Sequence, residues 1–266
     1  MAAYDGHIRI DTRVDTTGFN KGVSSMGASF GKVKTAIIAA LAAIGALSVK
    51  VIKDSVDTAS ELSSAMIGLE SVVSGSGRSF KRAKEFINEY ISDGLVPATD
   101  AVAAYKNLVL RGYSTEEIEK ILTIFKDTAA FGRQSQYTMG EAIRGATEGL
   151  KNENSILVDN VGVTKNVAKM WDDFAKSIGL TANQLTLEQK RQAEVNGIIE
   201  ESRYQIGDAA KVANTYQGKL QQLSFAFTNL RTAIGNIFIP ILQAIIPVII
   251  NVINAITALF NRVGMV

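Results

Sequence analysis

The sequence predicts a mainly all-α protein of extended helices and a small helical-hairpin domain, with one short strand at the N-terminus. Three observations carry that prediction. Only three prolines interrupt 266 residues rich in helix-forming Ala, Leu and Lys. Capping boxes mark helix starts at Ser114-Thr-Glu-Glu117, Thr138-Met-Gly-Glu141 and Thr186-Leu-Glu-Gln189. Towards the C-terminus, Leu220, Leu223, Phe227, Leu230, Ile234, Ile237 and Ile241 are spaced 3-4-3-4-3-4, a heptad seam.

Residues 1–33 read as a strand and a Gly/Ser-rich arm. In His7–Val14, Ile8, Ile10, Thr12 and Val14 fall on a period of two. A lone strand needs a partner. The stretch 34–73 is an apolar helix and its continuation. Its run Thr35–Val49 holds fifteen uncharged residues between Lys34 and Lys50, short of the roughly 20 residues that span a bilayer. A buried helix is the favoured reading. Ser74-Gly-Ser-Gly77 should break the helix.

An acidic helical domain is expected over 74–208, with helices at 79–92, 98–110, 115–131, 139–150, 165–178 and 184–207. Pro97 is expected in the first turn of the second helix. Short connections predict antiparallel hairpins between neighbours, and 151–164 reads as the main loop. Residues 209–266 form a heptad helix running into an apolar segment. Thr232–Asn261 carries thirty residues without a charge, enough to cross a membrane or to lie buried among partner helices. Pro240 and Pro247 should each kink or break it. Ile245 and Ile249 continue the face that would meet lipid or other copies.

Cysteine is absent and His7 is the only histidine. Disulfides, thiol chemistry and Cys- or His-based metal clusters are thereby excluded. No catalytic residue, metal ligand or cofactor is expected. Residues 54–208 hold 23 acidic and 17 basic residues, whereas 209–266 hold four basic and none acidic. A sequence-specific nucleic-acid binder would instead concentrate Lys and Arg on its folded middle. The carboxylate neighbours Glu116-Glu117, Asp172-Asp173 and Glu200-Glu201 point about 100° apart on a helix and read as solvated faces. Ser74–Phe80 lacks the Gly-Lys-Ser/Thr of a phosphate loop and reads as a connector. Trp171, Phe174 and Ile178 read as a core stripe.

Three stretches carry a family likeness: Ile8–Met26 with its D-T-x-G-F-x-K-G start, Ser135–Val163, and Ala213–Pro247. The last fits T-x-x-G-x-L-x-x-L, then L-x-x-x-I-G, then P-x-L before an apolar segment. Together they resemble the N-terminal part of tail tape measure proteins of long-tailed phages and prophages. The resemblance implies a structural role: templating tail-tube assembly, setting tail length and assisting genome passage through the host envelope. Implied partners are other copies of the chain in a helical bundle (a trimer is compatible), tail-tube and tail-tip proteins, assembly chaperones and the host membrane. The implied place is the virion tail lumen, after the host cytoplasm. Family members are usually much longer, so the chain is expected to be a fragment. A pore-forming toxin or bacteriocin-like protein is the alternative. An enzyme is the weakest reading.

Overall fold

The computed structural model describes residues 49–263. The expected strand, the Gly/Ser-rich arm and nearly all of the first apolar run lie outside the described residues. The chain divides into two units, Met1–Val51 and Ile52–Val266, and almost everything described belongs to the second. Among the described residues the fold is all-α, with ten α-helices, two short 3₁₀ turns and no strand.

The helices are α1 Val49–Gly75, α2 Phe80–Tyr90, α3 Ala98–Arg111, α4 Thr115–Gly132, α5 Met139–Lys151, α6 Ser155–Val158, α7 Val167–Ser177, α8 Leu187–Glu201, α9 Asp208–Ala213 and α10 Tyr216–Val263. Local chemistry sets most of the boundaries. The three predicted capping boxes start α4, α5 and α8, each with reciprocal hydrogen bonds. A fourth, Thr181 to Gln184, opens the 3₁₀ turn Ala182–Gln184. α1 ends at Gly75, and residues 76–79 connect it to α2. Ser79 caps α2, and the Arg78 guanidinium donates to the Tyr113 carbonyl at 2.6 Å.

Four expectations are corrected. Pro97 is the cap residue before α3, with extended backbone (ψ 144°), so the first turn begins at Ala98. The segment 151–164 is not all loop: Asn154 caps α6, and a 3₁₀ turn at Asp159–Val161 follows. The predicted 184–207 helix stops at Glu201, and α9 begins separately. Asp127 accepts hydrogen bonds from the N–H groups of Gly207 (φ +86°) and Ala209, which fixes that break. Finally, of the kink or break expected at Pro240 and Pro247, the break does not occur, and α10 runs through both. Each proline withholds one N–H, and 48 residues of helix leave ample bonds on either side.

The packing is not simple neighbour-on-neighbour. α3 packs most extensively on α5, skipping α4, while α4 touches α2, α3, α5, α8 and α9. Small residues permit the α3–α5 approach: a Cβ on Gly140 would meet Asp100 Oδ2 at 2.3 Å and Pro97 Cδ at 2.7 Å. The core is apolar and continuous, with Tyr105, Leu108, Ile118, Phe125, Ile143 and Leu150 all essentially inaccessible. Each such side chain contributes about 1.5–3 kcal/mol by leaving water. α1 enters this core through Leu69 and Val73.

Candidate functional site

The long helix α10 joins the domain through a tight turn. Thr215 Oγ1 donates to the Val212 carbonyl at 2.8 Å and accepts from the Gly218 N–H at 3.0 Å. A Cβ on Gly218 would lie 2.0 Å from the Val212 carbonyl oxygen, so only glycine fits without displacing the turn. One turn further on, Gln222 and Phe225 rest against Gly94, which has φ +73°. Gln221, Ser224, Phe225 and Thr228 line a hollow of about 120 Å³ over Leu95, Pro97 and Thr138. This face of α10 is docked and largely polar.

A second clasp lies further along. A Cβ on Gly235 would meet the Ser55 carbonyl oxygen at 2.1 Å and Ala59 Cβ at 2.6 Å. Ser55, Ala59 and Phe238 are buried there. The small residues four apart on α1 let the two helices touch backbone to backbone. Sequence reasoning missed this crossing. Its signal, a Ser-x-x-x-Ala pair on one helix and an Ile-Gly on another, does not specify which segments meet.

The heptad seam faces the other way. At about 100° per residue, Leu220 to Leu230 fall roughly opposite Gly218, Gln222 and Phe225. Leu220, Leu223, Phe227 and Leu230 are each 48–58% exposed, and Ile237 is 41% exposed. Ile234 and Ile241 are half-buried, close to the turn where α1 crosses. Pro240 and Pro247 are exposed. Of Ile245 and Ile249 only the helical backbone is described, so that part of the expected lipid or bundle face lies outside the described side chains. The stretch Tyr216–Ala244 is long and apolar enough to cross a membrane, and little of it is buried.

Contiguous exposed apolar surface marks an interaction site more often than chance decoration. Here it is ordered rather than scattered. Gly218, Gln222, Phe225, Gly235 and Phe238 touch the protein, whereas Leu220, Leu223, Phe227, Leu230 and Ile237 do not. Every position of the Thr215, Gly218, Leu220, Leu223 pattern therefore has a physical task. Two residues build the turn, and two are left on the open face.

Five of the six neighbouring carboxylates of the middle domain are engaged in ion pairs, caps or hydrogen bonds. Glu116 and Glu119 hold Arg82 at 2.8 and 2.9 Å, which raises the guanidinium pKa, and Glu117 closes its capping box. Asp173 and Glu200 share Lys165, while Glu201 accepts from Thr164. The Trp171 stripe is corrected. Val167, Met170 and Ala175 are the buried residues of α7, because Met170 packs against Gly197. Trp171 sits half-buried at the edge, with Lys190 Nζ 4.2 Å from its ring centroid.

The indole also completes a buried knot that the sequence does not announce. Glu194, fully inaccessible, accepts from Arg111 at 2.8 Å, from Trp171 Nε1 at 3.0 Å and from the Tyr113 hydroxyl. Burial and the nearby Glu194 push the Tyr113 hydroxyl pKa well up. The knot ties α3, the α3–α4 connection, α7 and α8 together.

Among the described residues there is no cluster of His, Cys, Asp and Glu that could hold a metal ion. No family model matches the chain, and no curated protein or solved structure is detectably similar to it.

Proposed function

We propose that the chain is a structural tail protein: the N-terminal portion of a tape measure that templates tail-tube assembly and length and assists genome delivery. Its role is non-catalytic. Copies associate through the α10 seam, with tail-tube and tail-tip proteins and assembly chaperones as further partners. The observation that carries this reading is the division of labour on α10. Its motif glycines clasp the domain and α1, and its heptad positions Leu220, Leu223, Phe227, Leu230 and Ile237 stay open. A helix with one docked side and one open apolar side is suited to recruiting further helices. Deleting the coding segment from a phage that encodes it should abolish tails or change their length. Peptides of the chain should appear in purified tails. Tails of unchanged length that lack the chain would overturn the proposal.

The pore-forming reading draws on one observation, the apolar length of Tyr216–Ala244. It predicts that the purified chain, without other tail components, releases dye from anionic vesicles. Absence of release at micromolar concentration would dismiss it.

A further inference from the structure

The helical domain carries a second open apolar surface. A hollow of about 470 Å³ runs along the outer face of α4 at Glu119, Thr123, Ile124 and Asp127. These positions advance by whole turns, so the hollow follows the helix axis for about 12 Å. Phe86 of α2, Ile199 of α8 and Ile206 just beyond it complete the apolar lining. Ile206 is 65% exposed, and Phe86 and Ile199 are half-buried. A shallow trough with an apolar lining, lying parallel to a helix, is the shape that receives another helix.

The same chain holds the complementary surface. The seam of α10 is apolar and flanked by Lys219 and Arg231, and residues 209–266 contain no acid. The domain that bears the trough is acidic, with 23 acidic against 17 basic residues over 54–208. At the rim itself Glu119 is already paired with Arg82, and Lys120 and Asp127 carry opposite charges, so the acidic field is that of the domain as a whole. Opposite fields steer and orient such an encounter. A chain cannot fill its own trough, because its α10 is clasped at Gly218 and at Gly235 with the open seam turned away from its docked face.

We infer that the α10 seam of one copy seats in the α4 trough of a second copy. The inference rests on the seam being the association surface proposed above and names what that surface meets. Seam and trough are different surfaces, so the contact is heterologous. Each copy keeps one free seam or one free trough, and assembly continues as an open chain or closes as a ring. A seam-on-seam bundle would leave the trough without a role.

The test uses the full chain with Phe227→Glu in the seam and Ile206→Glu in the trough. Both positions are well exposed, at 58% and 65%, and circular dichroism should match the wild type. Thr123→Glu, at an exposed position on α4, repeats the trough test without touching the α8–α9 connection. Sedimentation velocity of the wild type should show species beyond the dimer that grow with concentration. Each variant alone should stay monomeric. Their equimolar mixture should give a dimer and stop there, because it holds one intact seam–trough pair. If both trough variants assemble as the wild type does, the inference fails and seam-on-seam association stands. If the mixture stays monomeric, the inference fails as well. If the wild type is monomeric at every concentration, both the inference and the association reading fail.

Discussion

Single residues decide where this chain can bend and what it can bury. Glu194 satisfies three donors in a site without water access. Removing one member of a buried ion pair leaves the other uncompensated, typically at about 3–5 kcal/mol. Glu194→Ala should therefore lower the urea midpoint by an amount towards the lower end of that scale, since Arg111 keeps Glu153 at 2.8 Å. Gly218→Ala should cost about 1–3 kcal/mol, since its methyl meets the Val212 carbonyl. The same denaturation curves measure it. Charge adds a pH dependence. Hydrogen bonds from the Thr138 backbone and then its side chain hold the Glu141 carboxyl below its ordinary 4.5. The stability it contributes is complete above that value and is lost as pH falls through the lower, folded-state value. Glu141→Gln keeps the cap acceptor and removes the titration, so its melting temperature should fall less steeply below about pH 4.5. Asp100 acts in the opposite sense. Burial raises its pKa, so its protonation on acidification relieves a cost.

At the level of elements, the sequence was most legible where local chemistry settles the structure. All three capping boxes, the Gly75 stop and the starts and ends of α3, α4 and α5 follow from residues within one turn of the boundary. The misses in helix pairing and in the α8–α9 break share a cause, which is tertiary contact, whereas those at Pro97 and Asn154 are local. The break between α8 and α9 depends on Asp127, some eighty residues away. Pairing of α3 with α5 depends on Gly140 meeting Asp100, which no local pattern encodes. The heptad seam was visible as a spacing, but its exposure required knowing that α10 docks by Gly218, Gln222 and Phe225 instead. The crossing of α1 over Gly235 was invisible for the same reason. Gly235→Leu should force these helices apart, and amide hydrogen exchange around Ser55–Ala59 should quicken while α3 to α5 keep their protection. Unchanged exchange in α1 would mean that the crossing contributes nothing to its order.

At the largest scale, the described residues combine a folded acidic domain with an apolar helix of 48 residues, about 72 Å long. The two carry opposite charge and complementary apolar surfaces, which is how one chain can supply both sides of an assembly. At this scale Ile237→Asp, which places a charge on the open seam, should reduce assembly in solution and, if the pore reading held, vesicle binding too. Oligomer size and vesicle binding both unchanged by Ile237→Asp would contradict a working role for the seam.

The most direct measurement exploits the absence of cysteine. Phe227→Cys places the only thiol of the chain in the middle of the seam, and maleimide labelling can be timed across a dilution series. Tyr204→Cys, at a position 82% exposed on the domain, serves as the control. Slow labelling of the seam thiol is expected at high protein concentration, with rates that rise to the control value on dilution. A seam thiol that reacts as fast as the control at every concentration would contradict the claim that this surface holds copies together.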